Sequence, residues 1–167
     1  MAMTFTTDLD LIHLRQAFAL AADARQSGRH PFGALIVDER GEIVVAALNN
    51  SLPPGEPTQH AELVACAKAA RQLHGSELAK CTLYSSAEPC AMCAGAIYWC
   101  GIERVVYGLS EEKLRELTGS HPENPTLDLP CRDVFGRGQK AIAVIGPLLE
   151  DEALIPHLDF WNVERDL

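Results

Sequence analysis

The sequence predicts an α/β fold in three layers, α/β/α, with a five-stranded mixed sheet at its centre. Three observations predict it. Five short runs rich in β-branched residues alternate with helical segments bounded by Gly and Pro. The first two runs, 32–38 and 42–49, are split only by Glu39-Arg40-Gly41 and read as a hairpin, hence an antiparallel pair. The later runs are separated by helices, which makes them parallel neighbours in a sheet covered on both faces.

Each element follows from local pattern. From Asp8 to Arg25 the apolar residues Leu11, Leu14, Phe18 and Ala21 recur at helical spacing, and Gly28 is the stop. "NNSLPPGEPT" is a loop by its Pro, Gly and Asn content. A helix is expected from His60 to Leu73, ending near Gly75. "CTLYSS" (81–86) is the third strand, and a helix from Cys90 to Trp99 follows, ended by Gly101. "RVVYGL" (104–109) is the fourth strand, and "SEEKLREL" is a short helix with Ser110 as N-cap. Three prolines keep 118–130 free of regular structure. A short helix at 131–137, a strand in "KAIAVIG" and a helix from Glu150 to Phe160 complete the pattern. There is no internal repeat or linker, so 1–167 reads as a single domain.

Length and composition narrow the function. A chain of 167 residues buries roughly 70% of its unfolded surface and needs neither disulfide nor metal merely to fold. The net charge of −9, from 14 Lys+Arg against 23 Asp+Glu, argues against nucleic acid as partner, since phosphate neutralisation drives such binding. A small-molecule partner fits better. No run approaches 18 apolar residues, so no membrane span is expected. "MAMTFTTDLDLIHL" lacks a basic start and a long apolar core, which sets an expectation of a cytoplasmic protein. In that compartment six cysteines read as thiols or metal ligands.

Two stretches carry the chemistry. In "PTQHAELVACAKAA", His60 precedes Glu62 by two positions and opens a helix; in "SSAEPCAMCAGAIYW", Cys90 and Cys93 follow Pro89 and open another. Both helix starts follow strands, where α/β sheets bind ligands. Two thiolates and one imidazole suit Zn²⁺, and three protein ligands leave a fourth position for water. Zinc brings the pKa of that water from about 15.7 to about 7, which is about 12 kcal/mol toward hydroxide. Glu62 is not a ligand in this reading. It shuttles protons, a role contributing typically about 10²–10⁴-fold.

His60-Ala61-Glu62 with Pro89-Cys90-Ala91-Met92-Cys93 resembles the signature of the zinc-dependent cytidine deaminase superfamily. "HPFGALIVD", "NN…PTQHAE" and "LYSSAEPCAMCAGAIYW" are similar to its guanine deaminase and tRNA adenosine deaminase branch. The resemblance covers about residues 10 to 110. It implies a cytidine deaminase-like fold, a homodimer, zinc, and attack of zinc-activated water on an amino-bearing ring carbon with loss of ammonia. It makes a guanine-like purine base or nucleoside the expected substrate. It gives Asn49 a hydrogen bond to the base, and Phe32 and Trp99 a place in the pocket wall. The backbone around Ala61 and Cys90 would orient the ring. The "GFDD"-like acidic segment of guanine deaminases is replaced here by "TGSHPENPTLD", where His121 or Glu123 could stand in. Phe160 and Trp161 could cap the site as the C-terminal arm does in that family.

Plainer readings compete for the same residues. Cys-x-x-Cys alone can be a redox pair, and a closed structural zinc site would need Cys66, Cys81 or Cys100 as a fourth ligand. Those three and Cys131 read as plain thiols. Asn49 can cap a turn, Phe32 and Trp99 can be core, and His121 can be a simple loop residue. His13, His30, His74 and His157 read as structural or surface residues, and the charges of "SEEKLRE" as a solvated helix face. The same chemistry can serve tRNA adenosine, a cytosine-type base, a pterin or an aminotriazine. The reading of another class is a non-catalytic zinc-binding module, against which Glu62 argues.

Overall fold

The computed structural model of the chain describes residues 5–51, 55–119 and 121–162. Residues 52–54 and Ser120, which belong to the two predicted loops, lie outside them. Helix α1 spans Asp8–Gln26. Thr7 caps it: the Thr7 Oγ1 accepts from Asp10 N, and the Asp10 carboxylate accepts from Thr7 N at 2.7 Å, a reciprocal capping box. The hairpin β1 (Gly33–Val37) and β2 (Ile43–Leu48) follows.

Helix α2 is Ala61–Ala69. It is shorter than expected. Residues 70–73 turn instead of continuing, and Gly75 opens a separate short helix α3 (Gly75–Leu78), with the Glu77 carboxylate accepting from His74 N. Strand β3 is Thr82–Ala87 and helix α4 is Ala91–Cys100, closed by Gly101 at φ +83°. Only glycine enters that left-handed region without cost. Strand β4 is Arg104–Leu109. Helix α5 is Glu111–Thr118, where Ser110 Oγ accepts from Lys113 N as the N-cap reading predicts. Among the described residues of 119–130 there is no helix or strand. Helix α6 (Cys131–Gly136), strand β5 (Ala143–Ile145) and helix α7 (Glu150–Leu154) end the pattern. The last helix does not reach Phe160: Pro156 has no N–H to donate back to Glu152, and a 3₁₀ turn takes over at Ile155–His157.

The sheet order is β2-β1-β3-β4-β5. β1 runs antiparallel to both neighbours, whereas β3–β4 and β4–β5 are parallel. The sheet is therefore mixed, and β1 is buried on both faces. Ala34 and Ile36 point to a core built with α2, α4 and α6, and Leu35 and Val37 to one built with α1 and α7. That alternation gives the three layers. Gly33 lets α1 lie close, since a Cβ there would stand 2.5 Å from Leu20 Cβ and 2.7 Å from Ala17 O. Beneath α1, Arg104 Nη1 and Nη2 donate to Asp10 Oδ1 and Oδ2 at 2.8 and 2.9 Å, and Tyr84 OH donates to Oδ1 at 2.7 Å. Among the described residues no helix is long and apolar enough to cross a membrane.

Candidate active site and metal centre

The parallel pair β3–β4 fixes where the chemistry gathers. β3 ends at Ala87, opposite Leu109 at the end of β4, and Glu88 N donates to Leu109 O at 2.7 Å. Cys90 follows as the N-cap of α4, and His60 is the N-cap of α2; neither side chain makes a capping hydrogen bond. Both side chains are thereby left to the space beyond the strand ends. Cys93 sits one turn into α4 and is fully buried.

The donor atoms of His60, Cys90 and Cys93 all lie within 4.8 Å of one another. His60 Nδ1 and Cys90 Sγ are 3.6 Å apart. Tetrahedral zinc with Zn–N of about 2.0–2.1 Å and Zn–S of about 2.3 Å separates such atoms by about 3.6 Å. Two sulfurs and one imidazole nitrogen at that spacing fit zinc. The hydrogen bond from Cys93, then that from His60, brings the Cys90 thiol down to about 4 despite burial. The Cys93 thiol is pushed up, first by that same bond and then by burial. Cys90 is therefore the readier thiolate of the pair. The bond to Cys90 raises His60.

Glu62, in the first turn of α2, is buried. Ser85 Oγ on β3 donates to its Oε1 at 2.9 Å, and its Oε2 lies 3.6 Å from Cys93 Sγ. Burial, and next the negative charge of Cys90, pushes the Glu62 carboxyl up. The carboxylate thus stands beside the ligand trio without being one of its three donors.

A cavity of about 230 Å³ opens on this cluster, lined by Phe32, His60, Glu62, Cys90, Glu111 and Leu127 among others. A second hollow of about 400 Å³ shares Phe32, Pro57, His60, Asn124 and Pro125 with it and reaches Asn49. Asn49 is buried, and its Oδ1 accepts from Ser51 N at 3.0 Å and Ser51 Oγ at 2.8 Å. The amide therefore offers its NH₂ end to the hollow, with no protein acceptor among the described residues. A hollow of about 380 Å³ lies by Asp10 and Arg104, but those two groups satisfy each other there.

The structure gathers His60, Glu62, Cys90, Cys93, Phe32 and Asn49 around one cleft. Ala61 is wholly buried in the first turn of α2 and belongs to the core. Trp99 is not in the cleft: it is 83% exposed near the far end of α4, edge-on to Tyr98. Trp99 stands nine positions beyond Cys90, about 13 Å of helical rise, so the helix that delivers the thiol carries the indole away. His121 does not line the cleft either; its ring packs against Trp161. Phe160 and Trp161 are buried with His30 and His157, and Trp161 lies 6.3 Å from Phe32, centroid to centroid. His30 is no surface residue, since its Nε2 meets Glu123 Oε2 at 2.9 Å with both side chains buried.

Several lining residues were not legible beforehand. Glu88 accepts from Glu111 N and Cys131 N, both at 3.2 Å. Glu111 is no solvated helix charge; it is half-buried in the cavity wall. Burial, then the charges of Cys90 and Glu88, pushes it up to about 7. Its place directly after a strand end was the available signal.

Residues 8–109 match the model of the cytidine and deoxycytidylate deaminase zinc-binding region. The chain belongs to that zinc-dependent deaminase family. It is 46% identical over 165 residues to a probable cytosine deaminase of Schizosaccharomyces pombe, covering 99% of this chain and all of that one. It is 38% identical over 107 residues to a tRNA-specific adenosine deaminase of Haemophilus influenzae, covering 64% of this chain and 62% of that one. The X-ray structure of guanine deaminase from Bacillus subtilis superposes with a TM-score of 0.61 at 32% identity, over 94% of this chain and 96% of that one. The chain shares the fold of that solved guanine deaminase and carries the zinc-binding region that defines the family.

Proposed function

We propose that the protein hydrolytically removes the amino group of a free heterocyclic base that carries a ring carbonyl, with a guanine-type purine as the leading substrate. The observation that carries the reading is the position of Glu62, buried, held by Ser85 and 3.6 Å from a thiol of the ligand trio without joining it. A purely structural zinc site has no use for such a carboxylate.

His60, Cys90 and Cys93 hold the zinc in this reading. Zinc, when bound there, supplies the Lewis acidity that lets water attack near neutral pH. Glu62 does the proton work. Its Oε1 is engaged by Ser85, so Oε2 takes one proton of the attacking water and passes it to the ring nitrogen, then carries the remaining hydroxyl proton to the departing amine. The sum is an amino-bearing C=N plus water giving a C=O with N–H, and ammonia. Asn49 donates its amide N–H to a ring acceptor. Guanine and cytosine both offer a carbonyl there, and adenine does not. Phe32 supplies an apolar wall to the ring plane.

The two joined hollows, about 230 and 400 Å³, have room for a two-ring base, which supports the purine. The second reading, a cytosine-type base, is favoured by the likeness to the Schizosaccharomyces pombe protein along the whole chain. An ammonia-release screen of the zinc-loaded protein against guanine, guanosine, adenine, adenosine, cytosine, cytidine, pterins and aminotriazines separates them. Release from guanine that vanishes in Glu62→Ala supports the first reading, release from cytosine alone supports the second, and release from none rejects the deaminase reading.

We read the working form as a single-domain cytoplasmic homodimer. The 83% exposed Trp99 on α4 supports a covering partner, because tryptophan is enriched at protein interfaces. Gel filtration giving only monomer at micromolar concentration would contradict it.

A further inference from the structure

Three carboxylates line the cavity: Glu62, Glu88 and Glu111. Two are occupied by the protein. Glu62 accepts from Ser85, and Glu88 has one oxygen on Glu111 N and the other on Cys131 N. The Glu111 carboxylate has no hydrogen-bond partner among the described residues. Both cations of its helix are engaged elsewhere, Lys113 with Asp151 at 3.1 Å and Arg115 with Asp128 at 3.0 Å. Helix polarity alone accounts for an acid in the first turn of α5, but Glu112 fills that role from a solvent-side position. It does not account for an acid half-buried beside Leu114 and Leu127 in the wall of this cavity. A carboxylate in an apolar wall lacks water to solvate it and forms a strong bond with any donor brought to it.

Position gives the donor's side. Glu111 follows the end of β4 and Cys90 follows the end of the adjacent strand β3, so Glu111 lines the same cavity beside the ligand trio. Asn49 lies in the other hollow. A base with its amino-bearing carbon at the trio and a carbonyl at Asn49 turns its remaining edge toward Glu111. We propose that Glu111 is a substrate-contact residue that accepts a ring N–H on that edge, at the nitrogen that carries the sugar in a nucleoside, and so selects the free base over its N-substituted forms. This rests on the function proposed above, and adds what decides base against nucleoside.

The test uses the zinc-loaded full chain with whichever base it deaminates, and that base methylated at the sugar-bearing nitrogen. For the unaltered protein, KM for the methylated base is at least about 10-fold above that for the free base, the scale of losing a hydrogen bond to a charged group. Glu111→Ala raises KM for the free base by a similar factor with kcat within about twofold. It leaves the methylated base unchanged, and Glu111→Gln falls between. Zinc content and circular dichroism check that both variants keep the fold. Equal KM for the two bases in the unaltered protein, or an unchanged KM in Glu111→Ala, overturns the inference while leaving the deaminase reading intact. No ammonia from any base in the screen defeats both.

Discussion

Ser85 Oγ donates to Glu62 Oε1 at 2.9 Å, across from a thiol that lies 3.6 Å from Oε2. One oxygen is anchored to the sheet and the other is left for chemistry. In the proposed reaction the anchor fixes which face of the carboxylate meets the water and removes a rotamer choice from a buried side chain.

Ser85→Ala tests that relationship. The fold tolerates the change, since alanine fills nearly the same space in β3. Loss of a hydrogen bond to a charged group costs about 1.5–3 kcal/mol, so kcat falls about 10-fold or more while KM stays within about twofold. Steady-state kinetics on the identified base checks it.

Cys93→Ser tests the proposed zinc site by removing one of its three candidate donors from α4. Serine oxygen is a poor substitute for thiolate in a site of this donor set. Zinc per chain after dialysis falls from about one to well below one. Chelator lowers the melting temperature of the unaltered protein and hardly moves that of the variant, because only the former has bound metal to lose. Metal analysis and thermal scans read both outcomes.

Asp10→Ala tests the fold away from the cleft. Burial pushes the Asp10 carboxyl up, but hydrogen bonds from Arg104, Tyr84 and Thr7 outweigh it and hold it far below the ordinary carboxylate range. Removing the acid takes the two-pronged carboxylate contact from Arg104, whose side chain is 9% exposed beneath α1. Breaking a buried pair this way costs about 3–5 kcal/mol, a fall of about 10 °C in Tm for a chain of this size. Zinc binding at the other end of the sheet is unaffected.

His157 gives an acid-side stability change. Trp161 Nε1 donates to His157 Nδ1 at 3.2 Å, which requires the neutral ring. Burial first, then the charges of Arg25 and His30, pushes this histidine from 6.5 down to about 3. The unfolded chain therefore binds a proton that the folded chain refuses between those values. The contribution is complete above pH 6.5 and is lost as pH falls, by up to about 1.4 kcal/mol per pH unit. Urea denaturation from neutral pH to about pH 4 shows a steeper loss for the unaltered protein than for His157→Gln.

The α/β order was legible because most strands here carry β-branched residues, and α2, α4 and α5 begin at a motif residue or at Ser110. Two helix ends were not. Arg71-Gln72-Leu73 has good helical propensity, yet the chain turns there to start α3, a tertiary choice that overrides propensity. At the other, Pro156 ends α7 by its missing N–H although the pattern of 150–160 is helical. At the site, His60, Glu62, Cys90 and Cys93 stood out because few chemistries require that set at that spacing. Glu88, Glu111 and Ser85 did not, since an acid at a helix start and a serine in a strand are ordinary. Which acid faces inward depends on how α5 meets the sheet, and no periodicity in eight residues encodes that. Trp99 reads as a pocket residue by likeness alone; its exposure follows from the length of α4.

The bare N-caps of α2 and α4 have a consequence for engineering. Serine or aspartate at such a position ordinarily stabilises a helix by about 0.5–2 kcal/mol relative to a residue that makes no capping bond. His60 and Cys90 forgo it twice. Replacing them, His60→Ser and Cys90→Asp, would harden the metal-free polypeptide while removing two of the three candidate metal donors, so selection of this chain for thermal robustness alone would drift toward a scaffold unable to hold the metal.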